Sequence, residues 1–477
     1  MWRTRAYSVV GRLAATLGIL AYTVIYITAV VLILHHFFGL TYEFRGGYIP
    51  RLTFRRTAPD YEALEKNRAQ HAARGTATQT AEPSTMHRLT NSFWNGFRGL
   101  HRDGLSPETN IRTNWPSNGL EPMWRQPCGG GYASFAMAGD VAFTIEQRRA
   151  DEAIVAYQIE TGRELWVHPW PAAFSEPLGG DGPRATPAFD EGRVYGLGAL
   201  GEFRCLEAVS GKLIWRKNIV TDNQASQLTY GMAASPLIVG TNVIVTPGGH
   251  AGKCVIACDK TTGQNIWHAL DDGAAYSSPM LVQLAGAKQL LVVTKHRAVG
   301  LDPGSGKLLW EFPWVVLHGN RNIAQPIVVG DNRVFLSAGY GTGCALIDVT
   351  NTNGSFVVRE VWRNTNLKNK FTSSVLWQGH IYGLDEDILT CIDAATGNRK
   401  WKSGRYGYGQ LILARAQLII LTGTGEIAVV AASADAHQEL TRFPAVHGKT
   451  WNHPALDAGR LLVRNSAEMA CFNVSAR

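Results

Sequence analysis

Short apolar runs separated by Gly or Asp-Gly breaks fill most of this chain, and one polar–apolar pattern recurs. A run of about six apolar-rich residues ends on an acidic or polar residue. A tight turn around Gly follows, and a second run closes on Trp. The copies are AYQIETGRELW (156–166), CLEAVSGKLIW (205–215), ACDKTTGQNIW (257–267), GLDPGSGKLLW (300–310) and CIDAATGNRKW (391–401). Such self-similarity is the mark of a repeat architecture. Each copy predicts a hairpin. Gly162, Gly211, Gly263, Gly306 and Gly397 supply the positive φ that a tight turn needs. Asp259, Asp302 and Asp393, with Glu207 in one copy, accept bonds from turn N–H groups. The Trp suits packing between neighbouring sheets.

Upstream of each hairpin runs a second pattern, as in ATPAFDEGRVYGLG, ASPLIVGTNVIVTPGG, AQPIVVGDNRVFLSAG and TSSVLWQGHIYGLDE. It adds two strands, and four strands per repeat of about 40–50 residues make one propeller blade. The blade Trp residues are Trp166, Trp215, Trp267, Trp310, Trp362 and Trp401; the Trp362 copy carries the insertion TNTNGSFV. A seventh copy, GQLILARAQLIILTGTGEIAVVAASADAHQEL, keeps the strand pattern without the Gly turn or the Trp. An eighth, HPALDAGRLLVRNSAEMACFNVSAR, stops after three strands. Trp124, in EPMWRQP ahead of the first blade, is expected on the strand that completes the eighth. Pairing the two ends of the globular part removes the last open sheet edge. The expected fold is all-β, an eight-bladed propeller.

Residues 13–34 (LAATLGILAYTVIYITAVVLIL) carry no charge and match the length needed to cross a bilayer. The sequence HHFFGLTYEF follows in place of a small-residue cleavage site, which favours an uncleaved anchor over a signal peptide. Arg3, Arg5 and Arg12 before the span nearly balance Arg45, Arg51, Arg55 and Arg56 after it. Large downstream domains translocate despite nearby charge, so the expected orientation is N-terminus inside and propeller outside the cytoplasm. The chain then divides into a cytoplasmic segment (1–12), a transmembrane helix (13–34), a juxtamembrane segment with a flexible linker (35–90) and the propeller (91–477). Within the linker, DYEALEKNRAQHAARGTATQTAEPSTM allows a short surface helix in its first half.

At 45% hydrophobic, 18% charged and 50 Gly, the composition suits a turn-rich globular domain. Much of the net charge of +8 lies near the membrane segment, where anionic headgroups account for it. No run of basic and aromatic residues points to nucleic acid. The seven cysteines (Cys128, Cys205, Cys254, Cys258, Cys344, Cys391, Cys471) form no disulfide or zinc framework and are expected as buried free thiols.

The repeats resemble those of the pyrroloquinoline-quinone (PQQ) propeller superfamily, which includes quinoprotein alcohol dehydrogenases and the propeller lipoprotein of outer-membrane protein assembly. The resemblance is closest to PQQ-like propellers of bacterial envelopes. It rests on FWNGFRGLHRDGLSPET, GGGYASF, GDGPRATPAFDEGRVYGLGALGEFRCLEA, YGMAASPLIVG, YSSPM, NKFTSSVL, GRYGYGQLIL and KTWNHPAL. In the dehydrogenases this implies a quinone in the central funnel, between a Trp and a disulfide of adjacent cysteines, with Ca²⁺ held by Glu, Asn and Asp and an Asp base. This chain has no adjacent Cys pair.

The segments just before each inner strand (GGGYAS, GPRAT, YGMAAS, AAYSS, NRNIAQ, KNKFTS, YGYGQ, TWNHP) are expected at the funnel mouth and contain no Asp or Glu. A Ca²⁺ site is therefore not expected, and His453 is the one candidate base. The candidate ligand-binding residues are Arg184, Tyr230, Tyr276, Arg321, Asn322, Asn369, Lys370, Tyr406, Gln410, Trp451 and His453, with Tyr132, Tyr408 and Gln325 beside them. Together they suit an anionic, planar or sugar-like ligand. The alternative is that they fill a solvated channel. The blade Trp residues, Trp124 included, are expected to be structural.

Three functions are consistent with this pattern. One is a membrane-anchored extracytoplasmic propeller, single-pass in a bacterial inner membrane, that binds a ligand or an envelope protein without chemistry. Another is a PQQ-dependent quinoprotein oxidoreductase. The third is a scaffold subunit of envelope protein assembly, although that family's lipid-bearing N-terminal Cys has no counterpart before Cys128.

Overall fold

Five repeat turns form as the Gly-Trp pattern requires. Gly162, Gly211, Gly263, Gly306 and Gly397 all have φ between 70 and 75°, a region open to Gly at little cost. Asp259 accepts the N–H groups of Thr261 and Thr262 at 2.9 and 2.7 Å, and Asp302 and Asp393 cap their turns in the same way. In this computed structural model every residue is described except Met1, Tyr48, Arg55, Arg56, 79–88, Asn91, His318, Asn320 and Arg477; residues 2–13, 15, 72 and 74–78 are described by their backbone. The charges of Arg3, Arg5, Arg12, Arg55 and Arg56, and the second half of the linker, therefore lie outside the described residues.

Eight antiparallel sheets make up an eight-bladed propeller. Blade one comprises Ala136–Ala138, Val141–Arg148, Asp151–Gln158 and Glu164–Pro171, and the following blades repeat that order. The eighth blade takes its outer strand from the start of the domain: Trp124–Pro127 pairs antiparallel with Glu468–Asn473, with Trp124 opposite Cys471. Blade seven gains a fifth strand, Leu105–Ser106, parallel to its innermost strand Gln410–Ala414. The repeat pattern gave no sign of that strand. All seven cysteines are buried and free.

The blade Trp residues join neighbouring blades. Trp124, Trp166, Trp215, Trp267 and Trp362 each lie against the turn Gly of the next blade; a Cβ added to Gly263 would sit 2.8 Å from the Trp215 ring. The indole N–H groups of Trp124, Trp166, Trp215, Trp362 and Trp401 donate to carbonyls of the next blade at 2.7 to 3.3 Å. Trp310 departs from this. The next blade carries the insertion, and its outer hairpin (Gly343–Thr352 and Ser355–Asn364) turns at Asn353–Gly354, with no repeat Gly to receive the ring. Trp310 donates instead to Gln289 of its own blade at 2.6 Å.

Two compact units divide the chain, Met1–Thr57 and Ala58–Arg477. The first holds helix α1 (Trp2–Phe38), of which Thr16–Phe38 is long and apolar enough to cross a membrane, and a hairpin pairing Thr41–Glu43 with Arg51–Thr53. The second holds α2 (Tyr61–Thr78) and the propeller. This helix, expected as a surface element of the linker, lies against the seam where blades eight and one meet. Leu64 is buried, the Tyr61 hydroxyl donates to the Gln147 carbonyl at 3.4 Å, and Arg68 pairs with Glu164 of blade one at 2.9 Å.

From Arg68 a chain of alternating charges runs through the seam. Glu164 pairs with Arg148 at 2.7 Å, and Arg148 pairs with Glu146 at 2.6 Å. Glu146 faces Arg464 of blade eight at 3.7 Å, both side chains fully buried. Arg464 also donates to the Thr144 hydroxyl and the Gly129 carbonyl, each at 2.8 Å. Burial favours a neutral Glu146, but the Arg148 and Arg464 guanidiniums outweigh it and hold its carboxyl below the usual range. Arg464→Ala takes one of two guanidiniums from buried Glu146, together with the donors to Thr144 and Gly129, and is expected to cost about 3 kcal/mol. Arg68→Ala, at the half-exposed end of the same chain, is expected to cost less than about 1 kcal/mol. Thermal denaturation of the full chain in detergent measures both.

Candidate functional site

The residues just before the innermost strands converge on the propeller axis as a ring of aromatic and cationic side chains. Tyr132 stacks on Trp451 at 5.4 Å between centroids, Trp451 meets Phe371 at 4.6 Å, and Phe371 meets Tyr408 at 5.0 Å. The Lys370 ammonium lies over Tyr408 and Tyr340 at 4.9 and 5.1 Å. The Arg321 guanidinium lies over Tyr340 and Tyr230 at 5.8 and 5.0 Å, and Tyr230 meets Tyr276 at 5.9 Å. Arg184 lies over Tyr132 and Phe174 at 5.5 and 4.7 Å. Buried Lys449 lies over Trp451 at 4.5 Å and Tyr132 at 5.8 Å and donates to the Gly179 carbonyl at 3.1 Å. Every blade contributes. Cations set over π faces in this way gain about 0.5–2 kcal/mol each.

Beneath the ring lies a polar collar. At one equivalent position the eight blades carry Ser134, Thr186, Ser235, Ser278, Gln325, Ser373, Gln410 and His453, all polar. The backbone N–H groups of five of them donate to the next side chain in turn: Ser134 to Thr186 (3.0 Å), Thr186 to Ser235 (2.9 Å), Ser235 to Ser278 (2.9 Å), Ser278 to Gln325 (2.7 Å) and Gln325 to Ser373 (3.1 Å). Gln410 donates to the Phe371 carbonyl at 2.9 Å, and the Ser134 hydroxyl donates to the His453 carbonyl at 2.6 Å.

One or more residues further along the inner strands, the segment 93–106 fills the axis. The carbonyls of Trp94, Asn95 and Gly104 accept the N–H groups of Met137, Phe189 and Leu413 from blades one, two and seven. Arg98 donates to the carbonyls of Ser374 and Leu411 in blades six and seven at 2.8 and 3.2 Å. Arg102 donates to Ser235 and Pro279 in blades three and four at 2.9 and 3.0 Å, and also to Pro236. Phe97 meets the His453 ring edge-on at 4.9 Å. Contacts with seven blades place this plug on the axis, so the channel is closed from below. Burial lowers the Arg98 pKa to about 10 and that of Arg102 to about 9.

Of the eleven candidate binding residues, Arg184, Tyr230, Tyr276, Arg321, Lys370 and Trp451 come together in the ring. Arg184 also donates to the Gly180 carbonyl at 3.0 Å and lies 3.5 Å from Glu176, holding the connection between blades one and two. Asn322 and Asn369 are buried and hold loops: Asn322 donates to the carbonyls of Thr294, Lys295 and Trp314, and Asn369 to that of Leu384. Gln410 and His453 belong to the collar. Tyr406 leaves the axis altogether; its hydroxyl donates to Glu439 at 2.6 Å and contacts His437 at 2.8 Å, in the outer part of blade seven. Burial beside the Arg98 charge keeps His453 neutral, with its pKa well below the usual value.

Sequence reasoning missed Tyr340, Phe371 and Lys449. Tyr340 comes from the loop after a second strand, not from the start of a first one. Loops also bring the acids that the strand starts lack. Glu176 stands beside Arg184, and Glu386 lies 3.9 Å from Lys370 and accepts the Tyr408 hydroxyl at 3.4 Å. On the same face, buried Asp272 orients half-exposed His296 at 2.6 Å.

A family profile described as outer membrane protein assembly factor BamB matches residues 150–403, more than half of the chain. The chain belongs to this family. It has structural counterparts of low sequence identity. BamB from Moraxella catarrhalis aligns at a TM-score of 0.53 and 17% identity, over 74% of this chain and 99% of that one. Quinohemoprotein alcohol dehydrogenase from Comamonas testosteroni aligns at 0.56 and 12% identity, over 86% and 85%. Sqt1 from Saccharomyces cerevisiae aligns at 0.51 and 10% identity, over 75% and 100%. These likenesses show the fold alone. Among curated proteins no sequence match is found.

This BamB-family chain does not offer the donor set that the dehydrogenase resemblance implies. All seven thiols are single and buried, and among the described residues no three His, Cys, Asp or Glu side chains cluster as metal ligands. Glu176 and Glu386 are each committed beside a ring cation.

One further acid lies close to Arg184. Glu152 is fully buried, accepts the Ala199 N–H at 2.9 Å, and has Oε2 without a partner. Burial raises its pKa to about 7. Since the folded carboxyl keeps its proton to that pH and the unfolded one does not, stability falls as pH rises from about 4.5 to about 7, then levels off. Glu152→Gln is expected to remove this slope and to stabilise the protein above pH 7 by on the order of 2–3 kcal/mol. Melting temperatures of both proteins at pH 5.5 and 8.5 check the sign.

Proposed function

We propose that this BamB-family chain is an extracytoplasmic binding module, held at the bacterial inner membrane by its apolar N-terminal helix, whose partner engages the cation–aromatic ring. The observation that carries this reading is the convergence of ring side chains from all eight blades on one face. Rings and guanidinium or ammonium groups are the side chains most used at binding hot spots and for anion recognition. The name of the family and of one structural neighbour concerns assembly of outer membrane proteins, which favours a protein partner of the envelope over a small substrate.

A photo-reactive benzoylphenylalanine placed at Phe371 or Tyr408 in the full-length protein, irradiated in intact spheroplasts, is expected to yield a discrete adduct identifiable by mass spectrometry. The same group at Val357, exposed on the outer strand of blade five, is expected to yield none. Equal labelling from both positions, or none from the ring, would remove this reading. Protection of the propeller from protease added outside spheroplasts would reverse the orientation.

A further inference from the structure

Three features of the ring bear on what enters it. The plug closes the axis beneath the collar, so an occupant enters and leaves by one face. Such a well takes the end of a chain and does not let a chain thread through. Five links of the collar bond from blade to blade, and of its atoms left without a partner Gln410 Oε1 only accepts and His453 is neutral, so neither offers charge to an anion. Recognition of a polar end therefore falls to the ring. The ring's positive charge is also bracketed: Arg321 and Lys370, from blades five and six, stand over the same Tyr340 ring at 5.8 and 5.1 Å. Of these cations and their neighbours, Arg184 has Glu176 beside it and Lys370 has Glu386. Arg98 and Arg102 lie beneath, and no carboxylate pairs with Arg102 among the described residues.

Resting on the binding-module reading, we propose that the well receives the free α-carboxylate at the end of an extended polypeptide. The carboxylate is held between the Arg321 fork and the Lys370 ammonium. Apolar side chains of the last residues lie against Trp451, Phe371 and Tyr408. A forked guanidinium beside a second cation matches the two oxygens of a carboxylate, and capture of a chain terminus is an established mode of peptide recognition. The contiguous aromatic wall spans blades six to eight, an area that suits several residues better than one small acid. A free small carboxylate is the other source of the same chemistry.

The test uses the full-length protein in detergent and a fluorescein-labelled peptide, Gly-Ser-Gly-Ala-Leu-Val-Leu, with either a free or an amidated C-terminus. Fluorescence anisotropy is expected to show binding of the free acid at least about tenfold tighter than the amide, weakening with salt. Arg321→Gln and Lys370→Gln are each expected to lose about tenfold for the acid and little for the amide. Lys449→Gln, outside the bracket, is expected to weaken both peptides alike. Equal affinity for acid and amide, or no binding of either, overturns the proposal. Displacement by N-acetyl-leucine at concentrations equal to the peptide overturns assignment to a polypeptide end in favour of small acids. If ring cross-links persist while acid and amide bind alike, the binding-module reading stands and this inference alone falls.

Discussion

Eight sheets radiating from one axis bring eight strand beginnings together where water is excluded. Each brings an N–H and a carbonyl that must find partners there, because an unpaired buried backbone group costs about as much as a lost hydrogen bond. The collar meets much of the N–H side of this demand: Ser134, Thr186, Ser235, Ser278 and Gln325 each donate to the side chain of the following blade. The plug meets the carbonyl side. Arg98 and Arg102 have positive φ, both at 58°, an arrangement that is uncommon for side chains larger than Asn. Between them they satisfy carbonyls in four blades. The segment ahead of the ring is thus part of the domain's centre.

The seam is the second place where the circle is decided. Seven junctions are covalent in sequence, and the eighth is made by Trp124–Pro127 pairing with the last strand. Hydrophobic contact there is reinforced by charges that cannot be exchanged one at a time. Arg464 and Glu146 are both fully buried, and such a pair gives little net stability while forbidding the loss of either member. Helix α2 lies outside this junction, tied by Arg68 to Glu164. The chain therefore visits the seam before it reaches the plug.

Outside this centre the ring combines aromatic faces and cations with bonds to the backbone, since Arg184 donates to the Gly180 carbonyl and buried Lys449 to that of Gly179. A surface of that kind gives shape and charge, which is what recognition needs.

The blades, their number and the strand exchange at Trp124 were legible in the chain because they depend on local chemistry: a Gly turn, an alternating run, a Trp at a fixed spacing. Trp310 shows the limit of that logic, since its role depended on whether the next blade offered a Gly. Six of the candidate binding residues reached the ring because strand starts near an axis have only one direction to face. Tyr406 did not, because a carboxylate and an imidazole from blade seven drew its hydroxyl away. Tyr340, Lys449 and the two acids enter from loops whose direction no periodicity encodes. The plug was readable only as a family motif, FWNGFRGLHRDG. Its place on the axis rests on carbonyls contributed by blades up to about three hundred residues away. Turn chemistry and strand period act between neighbours in the chain and so are written locally. The closed well and its charge arise from groups that become neighbours only once the circle has shut.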